Sequence, residues 1–297
     1  TTVAAWCQAW AWSQVAWLTL ALVLVAFAVR RFAGATARRR PPAGFVWIPL
    51  SLGMGVLGSV LTAVGAVPAL DAFWLHNVGR GLVLQGMFVG LVLGVGTLAF
   101  PLMTRGQAPA DVTGSSRDRL ALALHAAAAL AVAASFFVEV RWAAPPALAL
   151  RAVVALAVLV ASIELWRPPD QPGANRRLVW LAGWMLPFGY IVGAVWPQHQ
   201  TVGLHIVFLG AFALLALAVA MQVTLGHRGY RAVMLASPWQ VAAIGALMLA
   251  AIAARTLMQV DPARYTLWMG CAAAAFLAAT AVWLAFLGPK ILRPADA

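Results

Sequence analysis

Five histidines carry most of this chain's capacity for chemistry: His76, His125, His199, His205 and His227. A neutral imidazole binds iron or copper through either ring nitrogen and exchanges protons near neutral pH. Their spacing excludes a compact local metal site. No HxxH, HExxH or adjacent histidine pair occurs, and Cys7 and Cys271 sit in no CxxC or CxxCH context, so neither a sequence-local zinc site nor covalent haem attachment is encoded. His205 and His227 bracket the uncharged run from Ile206 to Leu225, which has the length of a transmembrane helix. The 22 positions between the two rings span ~33 Å in a straight helix, so they stand near opposite membrane faces. Any further ligands must come from other helices.

The elements that position these residues follow from composition. With 64% hydrophobic and 9% charged residues among 297, the chain belongs to the polytopic membrane class. A net charge of +12 would suggest nucleic acid in a soluble protein, but here the arginines fall in short loops between apolar segments, a placement that sets orientation and argues against nucleic acid. Apolar segments at about 12–29, 45–68, 81–103, 120–138, 146–165, 178–196, 203–225, 238–258 and 266–287 predict nine spans. The expected fold is an all-α polytopic transmembrane bundle forming one domain over residues 1–297. Fifteen of the twenty basic residues lie on alternate loops and the tail: Arg30, Arg31, Arg38 to Arg40, Arg105, Arg117, Arg119, Arg167, Arg176, Arg177, Arg228, Arg231, Lys290 and Arg293. That side reads as cytoplasmic, placing the N-terminus outside and the C-terminus inside. Trp6, Trp10, Trp12, Trp74, Trp142, Trp196 and Trp268 form an interfacial belt on the outer side.

Polar groups at membrane depth need a partner or a cavity, because hydrocarbon offers neither. They are Gln85, His125, Glu164, His205 and Gln222, with Arg80 and Arg255 nearer the outer edge. Arg80 and Arg255 are expected to pair with Asp71 and Asp261, and Glu164 with Arg167. His76 and His205 belong to the outer half and His125 and His227 to the inner. The outer pair can supply both axial ligands of a haem held between two helices; the inner pair can do the same or hold copper. His199, in PQHQ, reads as an exposed loop residue. Gly86, Gly90 and Gly94 recur every four residues and predict a close helix–helix seam. Pro187 is expected to kink its span and open a cavity beside Gly189 and Tyr190, making Tyr190 a candidate cofactor contact.

The stretch 204–229 is similar to the most recognisable segment of the NnrS family, in which a histidine-led helix passes a methionine and ends in LGH[TS]G and a basic residue. The corresponding residues are His205, Gly210, Met221, Leu225, Gly226, His227, Gly229 and Arg231. Gly189 with Tyr190, and Pro101, Thr104 and Arg105, resemble two further family segments. The resemblance implies a haem- and copper-containing bacterial inner-membrane protein with a redox or gas-handling role around nitric oxide, with a redox partner or additional subunits. Family members also carry an early HxHE motif and usually a dozen helices. This sequence has no such motif, and three helices preceding Thr1 would restore the count; a shorter relative is the other reading.

Two further classes stay open. A cofactor-free transporter would use the kinked and glycine-rich spans, but the sequence displays no internal repeat and no charge near the midplane, features transporters commonly have. A structural subunit of a membrane redox complex is compatible with the lack of a soluble catalytic domain. No serine or acid–base motif supports a hydrolase.

Overall fold

The computed structural model describes residues 41–107 and 114–293, with residues 12, 15–20, 22, 23, 26 and 30 of the N-terminal segment. Among them are 8 helices long and apolar enough to cross a membrane: α1 (Ala43–Gly65), α2 (Phe73–Arg105), α3 (Ser116–Arg141), α4 (Ala144–Ala161), α5 (Ala174–Val195), α6 (Pro197–His227), α7 (Trp239–Val260) and α8 (Pro262–Leu292). No strand occurs among the described residues. The eight coincide with the second to ninth predicted spans. The first, 12–29, falls partly outside the described residues, as do Trp6, Cys7, Trp10, Arg31 and Arg38 to Arg40.

Local chemistry sets the helix ends. At α3 a reciprocal box joins Ser115 and Asp118: the Asp118 amide donates to Ser115 Oγ at 3.2 Å and the Ser115 amide to Asp118 Oδ2 at 3.0 Å. Proline opens the single 3-10 turns at Pro68, Pro197 and Pro262, where a missing N–H costs nothing. Gly106 and Gly229 follow the ends of α2 and α6 with φ of 71° and 79°, the left-handed conformation that terminates a helix. Pro187 lies inside α5 without interrupting it.

The described chain falls into two compact units, one of residues 1–98 and 109–150, the other of 99–108 and 151–297. Each contains a π-broken helix. In α2 the wide turn covers Leu82–Gly86, and in α6 it covers Ile206–Ala213. Such turns are uncommon inside α-helices and concentrate at functional positions.

Around these wide turns the two units repeat one packing motif. In the first, Gly58 of α1 crosses Gly79 of α2 so closely that a Cβ on either would strike the other's carbonyl oxygen. In the second, Gly189 of α5 crosses Gly203 of α6 with the same reciprocal collision. Gly79 and Gly203 both lie three residues ahead of their wide turn. Seven residues after each comes another glycine, Gly86 or Gly210, packed on a methionine, Met54 or Met185, that stands four residues before the crossing glycine of the partner helix. The third helix of each set adds a side chain to the same spot, Phe136 on Gly86 and Ile252 on Gly210. The expectation of no internal repeat is therefore corrected: α1–α3 and α5–α7 are built on one three-helix plan.

The predicted glycine seam is also present. Gly86, Gly90 and Gly94 pack on Met54, Ser51 and Trp47 of α1, where any Cβ would crowd the neighbouring chain.

Candidate functional site

His76 lies in the first turn of α2. Its Nδ1 is 3.1 Å from the carbonyl oxygen of Thr62, in the last turn of α1. Carbonyls there have no intrahelical donor, so Nδ1 carries the proton and donates it. Nε2 is left with its lone pair. A metal-binding imidazole has this arrangement, its remote N–H fixed by a backbone carbonyl. Phe73 stacks on the ring at 5.1 Å and 9°, which holds its plane.

His205 is half-buried at the head of the wide turn in α6, two residues beyond the Gly203 crossing. Its Nδ1 is buried and makes no well-formed hydrogen bond, the Thr201 backbone one turn back being its weak partner. Burying a polar nitrogen so weakly satisfied is costly, so this ring has unused capacity. Arg255 of α7 is close enough for its charge to act on the imidazole.

His125 differs. It is buried in α3, and its Nδ1 accepts the indole N–H of Trp47 at 3.0 Å. The neutral ring then bears its proton on Nε2, so neither nitrogen offers a free lone pair while that bond stands. His227 ends α6 in an exposed position, its Nδ1 2.8 Å from the Val223 carbonyl oxygen, which leaves Nε2 free. His199, read from sequence as an exposed loop residue, is half-buried, with Trp196 edge-on at 5.0 Å and a buried Nδ1 lacking a partner.

His76 and His125 contact opposite ends of α1, at Thr62 and Trp47, and His205 and His227 occupy opposite ends of α6. Within each unit, then, the two histidines are too far apart to share one metal. Among the described residues no three of His, Cys, Asp and Glu come together as a metal site.

Tyr190 is fully buried in α5, its ring 5.9 Å from the Arg151 guanidinium. A cavity of about 270 Å³ does lie along α5, lined by Leu156, Trp184, Met185, Pro187, Phe188 and Ile191. Tyr190 is not among its lining residues. Arg151, a residue not singled out in the sequence, lies inside α4 and is fully buried. The signal was available in Pro145 and Pro146, which fit a first helical turn and put Arg151 well inside the span.

The expected ion pair of Glu164 forms, with Arg167 at 3.1 Å. The other two do not form among the described residues. Arg255 instead turns Nη1 to Met258 Sδ at 3.5 Å, and Asp261 accepts the Trp268 indole N–H at 3.1 Å.

Nearly the whole chain, residues 1–295, matches the family model described as NnrS protein. The chain belongs to the NnrS family. No curated protein and no solved structure matches it. The match extends far beyond the 204–229 stretch that carries the resemblance in sequence, and this NnrS-family chain is a multi-pass membrane protein.

Proposed function

We propose that this NnrS-family chain is a haem-binding protein of the bacterial inner membrane, acting in redox chemistry or in the handling of nitric oxide. The observation that carries the reading is the state of two rings: His76, with its proton committed to Thr62 and Nε2 open, and His205, whose buried Nδ1 meets no well-formed hydrogen bond among the described residues. Both fit an imidazole ligand of iron. His227, with an exposed and open Nε2, is the candidate for copper. His125 would join either set only by giving up the Trp47 indole. Tyr190 serves as a buried support beside Arg151 rather than a lining residue of the α5 cavity.

Bound haem would supply one-electron chemistry or an open iron position for a small gas. The protein's own contribution is orientation. The Thr62 carbonyl and the Phe73 face fix His76, the Gly189–Gly203 crossing fixes the backbone beside His205, and the apolar spans exclude water. A reduced-minus-oxidised absorption spectrum of the protein purified from haem-replete cells tests the reading. A Soret band weakened in His76→Ala and in His205→Ala, and lost when both are replaced, is the expected result; absence of the band in the unaltered protein rejects haem.

One observation favours a second reading, membrane transport. Two helix sets distorted at corresponding positions resemble the internal repeats of secondary transporters, and Arg151 adds a buried charge within a span. Uptake of a radiolabelled anion by proteoliposomes lacking haem would favour transport.

A further inference from the structure

The ends of α2 and α5 hold two arginines that the haem reading leaves unused. Arg105, the last residue of α2, and Arg176, in the first turn of α5, are each only 7% exposed. They sit together, because Arg176 Nη1 donates to the Met103 carbonyl oxygen at 2.6 Å, two residues from Arg105. Arg105 is well supplied with acceptors. Its Nη2 donates to the Ile163 carbonyl oxygen at 3.1 Å, its Nη1 to that of Glu164 at 3.2 Å, and Glu164 Oε2 is 3.7 Å away. Those bonds make it a clasp on the turn after α4.

Arg176 is not explained in that way. Of its five N–H groups, only one has a protein acceptor among the described residues, and that acceptor is a neutral carbonyl. Its Nε is buried without a partner, as are Arg105 Nε and the neighbouring Asn175 Oδ1. The local charge does not close either. Among the described residues the guanidinium groups of Arg105 and Arg167 share one carboxylate, Glu164, which is 42% exposed, and that of Arg176 meets none. The C-terminal ends of α2 and α4 contribute about half a negative charge each. With the half positive charge of the α5 N-terminus added, at least about one positive charge remains uncompensated among the described residues, on a group that cannot lose its proton. A buried charge left so is costly unless an anion meets it.

We propose that Arg176, with Arg105 beside it, binds a phosphate monoanion at this end of the spans, either the phosphodiester of an anionic lipid or phosphate itself. Guanidinium matches phosphate oxygens through paired N–H donors, and span ends are where lipid phosphates lie.

The test uses full-length protein, delipidated in a nonionic detergent. Thermal unfolding is followed on adding phosphatidylglycerol, or phosphatidylcholine, whose choline offsets the phosphate charge, or inorganic phosphate without lipid. Phosphatidylglycerol is expected to raise Tm by roughly 5 °C more than phosphatidylcholine. Arg176→Gln should lose at least half of that gain, whereas the same charge change at exposed Arg177, Arg177→Gln, should keep it. If inorganic phosphate alone reproduces the gain and Arg176→Gln abolishes it, the site stands with free phosphate as its source. Equal gains in Arg176→Gln and the unaltered protein, equal losses in both variants, or no response to either probe overturn the proposal. Should Arg176→Gln fail to fold, native mass spectrometry of the unaltered protein from mixed phosphatidylglycerol and phosphatidylcholine micelles decides. One phosphatidylglycerol retained per chain is expected, and none retained overturns it.

Discussion

The two π-broken helices share a scaffold but not a chemistry. Around α2 the crossing glycines, the methionine and the wide turn are the same as around α6. Yet counted from the crossing glycine, the position held by His205 in α6 is Gly81 in α2, and the position held by His76 in α2 is Gln200 in α6. What the copies keep is the close backbone approach. What they vary is the side chain that can hold a ligand. On the proposed reading, function is grafted onto a repeated support, and the two histidines lie about five residues, ~7.5 Å, apart along the common plan.

That contrast can be broken most forcefully at the rings. His76→Ala and His205→Ala should each cut haem content at least about twofold, measured by the pyridine haemochrome assay. The two should differ in the haem-free protein. Loss of His76 strips a donor from the Thr62 carbonyl and lowers stability by about 1 kcal/mol, whereas loss of His205 removes only a weakly bonded nitrogen and changes stability by less than about 0.5 kcal/mol. Identical apo stabilities would erase the distinction drawn between the rings.

The shared scaffold is tested next. Gly79→Val and Gly203→Val each drive a side chain into the opposing backbone, and each should cost ~3 kcal/mol or more in thermal or denaturant unfolding. A tolerated substitution in one copy alone would show that the crossings are not equivalent. Trp47→Phe, which leaves His125 Nδ1 buried without its donor, should cost about 1–3 kcal/mol while haem content stays level. The smallest effects lie at Gly53 and Gly270, helical glycines where an added Cβ meets nothing within 4 Å. Alanine at either should stabilise by about 0.5–1 kcal/mol.

Eight spans were legible in sequence because long apolar runs have few alternatives to a membrane helix. The seam of Gly86, Gly90 and Gly94 was legible because its spacing is regular. The repeat was not, for a definite reason. Gly58 and Gly79 are 21 residues apart, but Gly189 and Gly203 only 14, so no fixed period aligns both helices of the pair. The few residues that match are glycines and methionines, common throughout such a chain. The state of each histidine was equally hidden, since whether Thr62 or Trp47 meets a ring depends on contacts 14 and 78 residues away. The buried charge of Arg176 was invisible because it was counted among loop cations that set orientation.

The wide turn in α2 also solves a problem of phase. Gly79, Gly86, Gly90 and Gly94 all face α1, although an unbroken α-helix would rotate the last of them about 60° past the first. Steps of four residues run ahead of a 3.6-residue turn. The extra residue taken up by the π segment sets the helix back by about 100°, so a drift to one side becomes a smaller one to the other. The irregularity thus acts as a leap day for the helix: it restores the calendar, and two long rods remain in step along their whole contact.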